Sequence, residues 1–394
     1  MARIGRVSVT RIFGAIVVLL AIGTVVGLAL LWPDDVDSNI GESIVAESEG
    51  ADVTRVEEFR CSGFQSQTCQ KVSIELRSGP RSGESSSLSL QAGGLDPDVD
   101  VGDRVRVVEN ITPPGAEPIP GQEFSLSDFE RGRPMLFLAL MFAGLVILFG
   151  RLRGALSLVG LGLSLAVVLL FVAPAIQGGK SPLAVAVVGA MAVMLVTITL
   201  AHGLGPKSLA AILGTAASLV VTVALAVIFT DLTHLTGLSS EEATFLLANE
   251  GGLSLEGLLL AGMVIGALGV LDDVTISQAS TVLALRGANP AQRFGELFGR
   301  ALDVGRDHVS ATVNTLVLAY VGAALPVLLI FTAAPLGFVE AVNLELIAKE
   351  VVATLVGSIG LITAVPITTA LAAVLARHIP AEQLPAEDHT GHAH

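Results

Sequence analysis

The chain has 394 residues, 52% of them hydrophobic and only 15% charged, with a mean hydropathy of +0.74. A soluble globular domain carries about 25% charged residues, so this composition excludes a single water-soluble globule and points to a chain solvated largely by lipid. The net charge of −14 is concentrated in residues 33–133, which hold 20 acidic and 9 basic residues; the rest of the chain is close to neutral. No basic face exists, so no nucleic-acid partner is expected.

Arg3, Arg6 and Arg11 precede an apolar run from Ile12 to Trp32. A secretory signal has an apolar region of about 7–15 residues, whereas this run is long enough to cross ~30 Å of hydrocarbon as a helix. No small-residue cleavage site precedes Trp32-Pro33-Asp34, so residues 1–32 are expected to be an uncleaved signal anchor.

In the polar segment 33–133, Val72-Ser73-Ile74-Glu75-Leu76 and the stretch Val101 to Val107 alternate with the period of half-buried strands. Gly79-Pro80, Gly93-Gly94 and Pro113-Pro114-Gly115 mark turns between them. This predicts a small β-barrel-like domain over residues 50–111, with acidic, Pro-rich tethers at 33–48 and 112–130. Cys61 and Cys69 both lie here. They are either two free thiols or, outside the cell, a disulfide closing a short loop.

Seven further apolar runs follow, at 134–150, 154–175, 182–201, 208–230, 255–276, 309–332 and 350–376. The expected fold is an α-helical polytopic membrane protein of eight transmembrane helices with a small extracytoplasmic β domain. Residues 134–378 form a seven-helix bundle and 379–394 a disordered, His-containing tail. Lys and Arg in short loops set the orientation. With both termini in the cytoplasm, 11 such residues lie inside (Arg3, Arg6, Arg11, Arg151, Arg153, Lys207, Arg286, Arg293, Arg300, Arg306, Arg377) against Lys180 and Lys349 outside. Residues 33–133 are then extracytoplasmic, which favours the disulfide.

The sixth apolar run carries Gly262, Gly266 and Gly269, small residues that let another helix approach, and then Asp272 and Asp273. No Lys or Arg lies within ten residues on either side. A carboxylate at membrane depth is costly unless paired, hydrated or protonated. The two residues therefore either end the span at the inner water interface or bind an ion, proton or substrate. In the seventh run Asp303, Asp307, Ser310 and Asn314 share a helix face, with Arg306 and Tyr320 on an adjoining stripe. Arg306 could neutralise Asp272 or Asp273. The stripe is either helix–helix glue with an interfacial ion pair or one wall of a hydrophilic path. Glu345 and Lys349 have the i,i+4 spacing of an exposed pair. Gly357, Gly360 and Pro366 predict close packing in the last run, with a possible break.

Enzyme signatures fail. Gly179-Lys180-Ser181 has Pro174 where a phosphate loop needs its leading Gly, and Pro206 precedes Lys207-Ser208. No His-Glu-x-x-His pattern exists, and adjacent carboxylates diverge by about 100° on a helix, unlike a facing catalytic pair. No enzyme activity, cofactor or metal is expected. His389, His392 and His394 sit in the tail without a frame, and His202 and His234 lie at span ends. Residues 153–171 align weakly with 207–225 as a parallel repeat.

The chain resembles the YibE/F family of bacterial multi-pass membrane proteins. The resemblance rests on four stretches together: His202-Gly-Leu-Gly-Pro-Lys207 through Gly214-Thr, Ile265-Gly-Ala-Leu-Gly-Val-Leu-Asp272-Asp273-Val-Thr-Ile-Ser277, Val304-Gly-Arg306-Asp307-His308 through Tyr320, and Gly357 through Pro366. The family pattern has one acidic residue after the Gly-rich stretch; here two stand there, which leaves open whether Asp272 or Asp273 is its equivalent. The resemblance implies a membrane location and an outer β-rich region, with no substrate attached; transport is the usual expectation for such proteins. The expected function is a permease of a small ion or solute, with Asp272, Asp273, Arg306, Asp307, Asn314 and Tyr320 lining its path. The alternative is a non-transporting envelope scaffold or sensor whose outer β domain binds a partner or cell-wall ligand. The lipid bilayer and a small ion or solute are the expected partners; oligomeric state is open.

Overall fold

The computed structural model describes residues 2–33, 48–60, 68–92, 97–110, 123–239, 241–249, 252–333 and 337–379. Internal contacts divide the chain into two units, Ser38–Leu145 and Met1–Asp37 with Val146–His394.

The first unit is built on five antiparallel strands: β1 (Ser48–Arg60), β2 (Thr68–Leu76), β3 (Ser85–Ala92), β4 (Arg104–Glu109) and β5 (Phe124–Phe129). Their order in the sheet is β3-β2-β1-β4-β5. The alternation of β2 puts Val72, Ile74 and Leu76 inward, where they meet Val53, Leu88, Val105, Val107 and Phe124 in one apolar core. A register shift between Val53 and Arg55 adds local twist to the long strand β1. The sheet curls, so that residues flanking its two edge strands meet. Arg81, before β3, donates to Glu84, to Glu109 and to Glu123, which precedes β5, and its guanidinium lies 5.2 Å from the centre of the Phe124 ring.

Two expectations are corrected here. Val101 and Gly102 form a turn with Gly102 at φ 97, so β4 starts at Arg104. The tether expected over 112–130 ends in β5, because Phe124, Leu126 and Phe129 each find the core. The expected disulfide partner Cys61, most of the tether at 33–48 and nearly all of the tail at 379–394 lie outside the described residues; Cys69 sits on β2 opposite Phe59 of β1.

Arg77 ties the sheet's ends together through Asp52 and Glu130. The Arg77 hydrogen bond holds the Glu130 carboxyl below its ordinary value of 4.5; the Phe129 backbone N–H and then Arg131 hold Asp128 below 3.8. Both groups bind protons less readily folded than unfolded. The stability they lend is complete above those ordinary values and is lost as the pH falls through the lowered ones. Hydrogen-exchange protection of β4 and β5, corrected for intrinsic rate, is expected to fall on acidification below the carboxylate range, and less steeply in Arg77→Ala. Equal slopes in the two proteins would refute this assignment.

The second unit is helical. Its elements are α1 (Ala2–Leu30); α2 (Gly132–Val167), which straddles the division; a π turn at Val168–Val172 leading into α3 (Ala173–Gln177); α4 (Pro182–His202); α5 (Pro206–Leu232); α6 (Glu241–Asn249); α7 (Leu255–Ala288); α8 (Phe294–Ala323); α9 (Leu325–Ala333); α10 (Phe338–Asn343); and α11 (Glu345–Ala376). Leu148 and Phe149 are 79% and 97% exposed, as suits a surface solvated by hydrocarbon chains. The core is an α5–α7–α11 layer, with α4 against α7 and α8 against α11 and α7.

Among the described residues, six helices are long and apolar enough to cross a membrane, or seven if α8 and α9, bent by 63°, count as one. Eight were expected. The difference lies at 132–177, where two expected runs count as one segment of 46 residues. That segment is not straight. Arg151 leaves helical geometry at φ 52 and ψ −133. A Cβ on Gly154 would overlap the carbonyl oxygen of Val146, eight residues back, which a straight helix would place about 12 Å away. The chain therefore bends sharply at Arg151. In α11, Pro366 interrupts nothing: the helix continues to Ala376. Glu345 at its start does not act as half of an exposed pair; its carboxylate accepts from the backbone N–H groups of Thr236 and Gly237 at 2.9 and 2.6 Å and from the Thr236 hydroxyl at 2.8 Å.

Candidate functional site

Asp272 does not end its helix. Its helix α7 continues sixteen residues further, to Ala288, so the carboxylate stands near the helix midpoint. The helix is held in rotation by polar contacts on its inner face. Thr275 and Thr215 of α5 are fully buried with hydroxyl oxygens 2.6 Å apart. One turn on, Gln278 donates to the Ala301 carbonyl of α8 at 2.8 Å and to the Thr369 hydroxyl of α11 at 2.7 Å. With those residues turned into the bundle, Gly269, Asp272, Asp273 and Ile276 share the opposite side of α7 and line a cavity of about 390 Å³.

The cavity lies between α2, the π turn, α4 and α7. Leu165, Val168, Val193, Ile198 and Leu268 give it apolar walls; Ser164, Thr197, His202, Asp272 and Asp273 are its polar groups. Pro174 shapes one wall. Lacking an N–H, it cannot close the normal helical turn, and the N–H of Ala173 instead reaches the Val168 carbonyl in a wider one. This turns Val168 and Val172 toward α4, where Val172 Cγ2 leaves no room for a Cβ on Gly189.

Among the described residues Asp272 has one side-chain partner. Its Oδ2 lies 2.9 Å from the Thr197 hydroxyl, and its Oδ1 is buried without a hydrogen-bond partner. The Thr197 hydroxyl is also 2.9 Å from the Val193 carbonyl. It has a single proton to give. An ionised Asp272 draws that proton from the carbonyl; a protonated Asp272 donates to Thr197, which then donates to Val193. The contact thus accommodates both states of the acid, and no ion pair to Asp272 exists among the described residues. Asp273, one residue on, is exposed and lines the same space.

The remaining expected site residues are elsewhere. Arg306 pairs at 2.9 Å with Asp303 on its own helix, both about 70% exposed, rather than with Asp272 or Asp273. Asp307 and Asn314 are exposed as well. The reason is the packing of α8, which meets the bundle through Leu297, Ala301 and Gly305, leaving the polar stripe on its outer side. Tyr320 belongs to a second cavity of about 260 Å³ with Glu350 and Thr354 of α11. Its hydroxyl lies 3.5 Å from where a Gly266 Cβ would be.

Of the glycines expected at helix contacts, Gly360 has no room for a Cβ, Gly357 and Gly266 have ordinary contacts, and nothing lies within 4 Å of a Cβ on Gly262 or Gly269. Thr197, Ser164 and the inward threonines were not singled out by the sequence. Thr197-Ile198-Thr199 differs little from any hydroxyl tolerated in an apolar helix. His202 ends α4, as its reading as a span-end residue expected, and it also lines the cavity, with Lys207 Nζ 3.4 Å from its Nδ1.

A family model described as YibE/F-like protein matches residues 138–378, which includes every residue lining the cavity. Nothing among curated proteins and nothing among solved structures matches the chain.

Proposed function

The chain belongs to the YibE/F-like family, and from that premise we propose that it is a cell-membrane permease which moves a small ion or solute through the cavity at Asp272 and Asp273. The observation that carries this reading is a carboxylic acid on a long apolar helix, without a counter-cation among the described residues, opening on a cavity between α2, the π turn, α4 and α7. An acid in such surroundings is a functional group by default, because a purely structural role is met more cheaply by a neutral residue. Asp272 serves as the proton-binding group through its two-state contact with Thr197. Asp273 and His202 stand toward the wetter end of the path.

The orientation follows the distribution of basic residues. Both termini are cytoplasmic, the strands lie outside, and the bend at Arg151 separates two crossings, giving eight in all. In a background with Cys61 and Cys69 replaced by Ser, a membrane-impermeant thiol reagent applied to intact cells then labels Ser87→Cys and spares Arg153→Cys. The rival scaffold or sensor role draws on the outer sheet, which has a core of its own and so is more than a tether. The test is reconstitution of the full chain in proteoliposomes against a panel of inorganic and organic ions. Flux above empty liposomes for any of them supports the permease. Background flux throughout, with a phenotype lost on deleting residues 48–129, favours the scaffold.

A further inference from the structure

Resting on that reading, we infer that the cavity at Asp272 and Asp273 takes an amphipathic organic monocation, with an ammonium-type head at the carboxylates and an apolar body along α2 and α4. The chemistry of the walls decides the class. A dehydrated divalent metal needs about six oxygen ligands, and no group of three or more His, Cys, Asp or Glu able to hold a metal exists among the described residues. A small hydrated ion gains nothing from Leu165, Val168, Val193 and Leu268, which dominate the walls. A volume of about 390 Å³ falls at the lower end of the roughly 300–1,000 Å³ in which organic ligands bind.

The charge pattern sets the sign of the ligand. Asp273 lines the cavity as an exposed carboxylate, so a cation reaches it without breaking an existing pair. Asp272 lies beside it with a single hydroxyl partner. Among the basic groups nearby, His202 lines the cavity while Lys207, 3.4 Å from the His202 ring, does not. A neutral His202 accepts from Lys207 on Nδ1 and leaves the carboxylates as the charged groups facing the interior. Ser164 and Thr197 supply hydroxyls for the N–H groups of a primary ammonium better than for a quaternary one.

The test uses the purified full chain in nanodiscs at fixed pH and ionic strength, titrated with n-alkylammonium ions of increasing length. Alkanols and alkylcarboxylates of matching length, and potassium chloride, serve as comparators. The dissociation constant for the ammonium series should fall about three- to fourfold per methylene, the ratio that ~0.8 kcal/mol per buried CH₂ gives. Asp273→Asn should weaken ammonium binding by roughly tenfold or more, the scale of a lost charge-assisted hydrogen bond, and leave alkanol binding unchanged. Unchanged alkanol binding also shows that the variant is folded. Leu165→Ala, on the exposed wall, should flatten the dependence on chain length. Alkanols or carboxylates binding as tightly as ammonium ions, no length dependence, or full affinity in Asp273→Asn would overturn the inference. Ammonium binding without flux would keep this site and remove the permease reading; flux of another ion without ammonium binding would do the reverse.

Discussion

Gly360→Ala is expected to loosen the membrane bundle by about 3 kcal/mol, the upper end for an overpacked interior, whereas Gly262→Ala costs nothing measurable. The two glycines look alike in sequence and sit in similar helices. At Gly360, a Cβ would overlap the Thr222 hydroxyl oxygen and approach Thr222 Cβ to 3.3 Å. That hydroxyl is committed to the Ser218 carbonyl at 2.9 Å, so it cannot swing aside without losing its bond. The same contact repeats in reverse. A Cβ on Gly214 would overlap the Thr368 hydroxyl. Gly214 and Thr222 are eight residues apart on α5, as are Gly360 and Thr368 on α11, so the helices run antiparallel and interlock twice, about 12 Å apart. At Gly262 the space is open. Thermal unfolding in detergent, followed by the monodisperse fraction, should show the Gly360→Ala loss and its partial recovery in Gly360→Ala with Thr222→Ala. A Gly262→Ala protein less stable than Gly360→Ala would contradict the interlock.

Asp272→Asn is expected to reduce flux to the level of empty liposomes while the protein stays folded. The side chain is nearly isosteric and its amide can still meet Thr197, so the helix contacts survive. What disappears is the group that can gain and lose a proton against the Thr197 hydroxyl. Thr197→Val should act in the same direction but less completely, because it removes the partner and leaves the acid. Thr197→Ser, which keeps the hydroxyl, should retain most flux.

The architecture was legible because apolar runs report lipid exposure directly and strand alternation reports a two-sided sheet. Val72, Ile74 and Leu76 faced inward as their spacing required. The break at Arg151 was legible only as a gap between two runs; nothing in Arg151-Leu152-Arg153 encodes its geometry. The site was half legible. Asp272 and Asp273 stand out because charge is rare in such a helix. Which face of α8 turns inward could not be read from its stripe, since a polar face suits either a water path or the outer surface. Ala301 and Gly305, small enough to admit Gln278 and Val365, decide it, and their smallness has no polar signature. Thr197 escaped because a lone hydroxyl in an apolar helix usually bonds its own backbone, as Thr199 does.

The most direct measurement compares flux in proteoliposomes carrying Asp272→Asn with flux in those carrying Asn314→Ala, each matched for protein incorporated. A path between α2, α4 and α7 predicts that the first is silent and the second transports like the unmodified protein. If Asn314→Ala is silent and Asp272→Asn transports normally, the path runs along the outer stripe of α8, and the cavity at Asp272 is not the route.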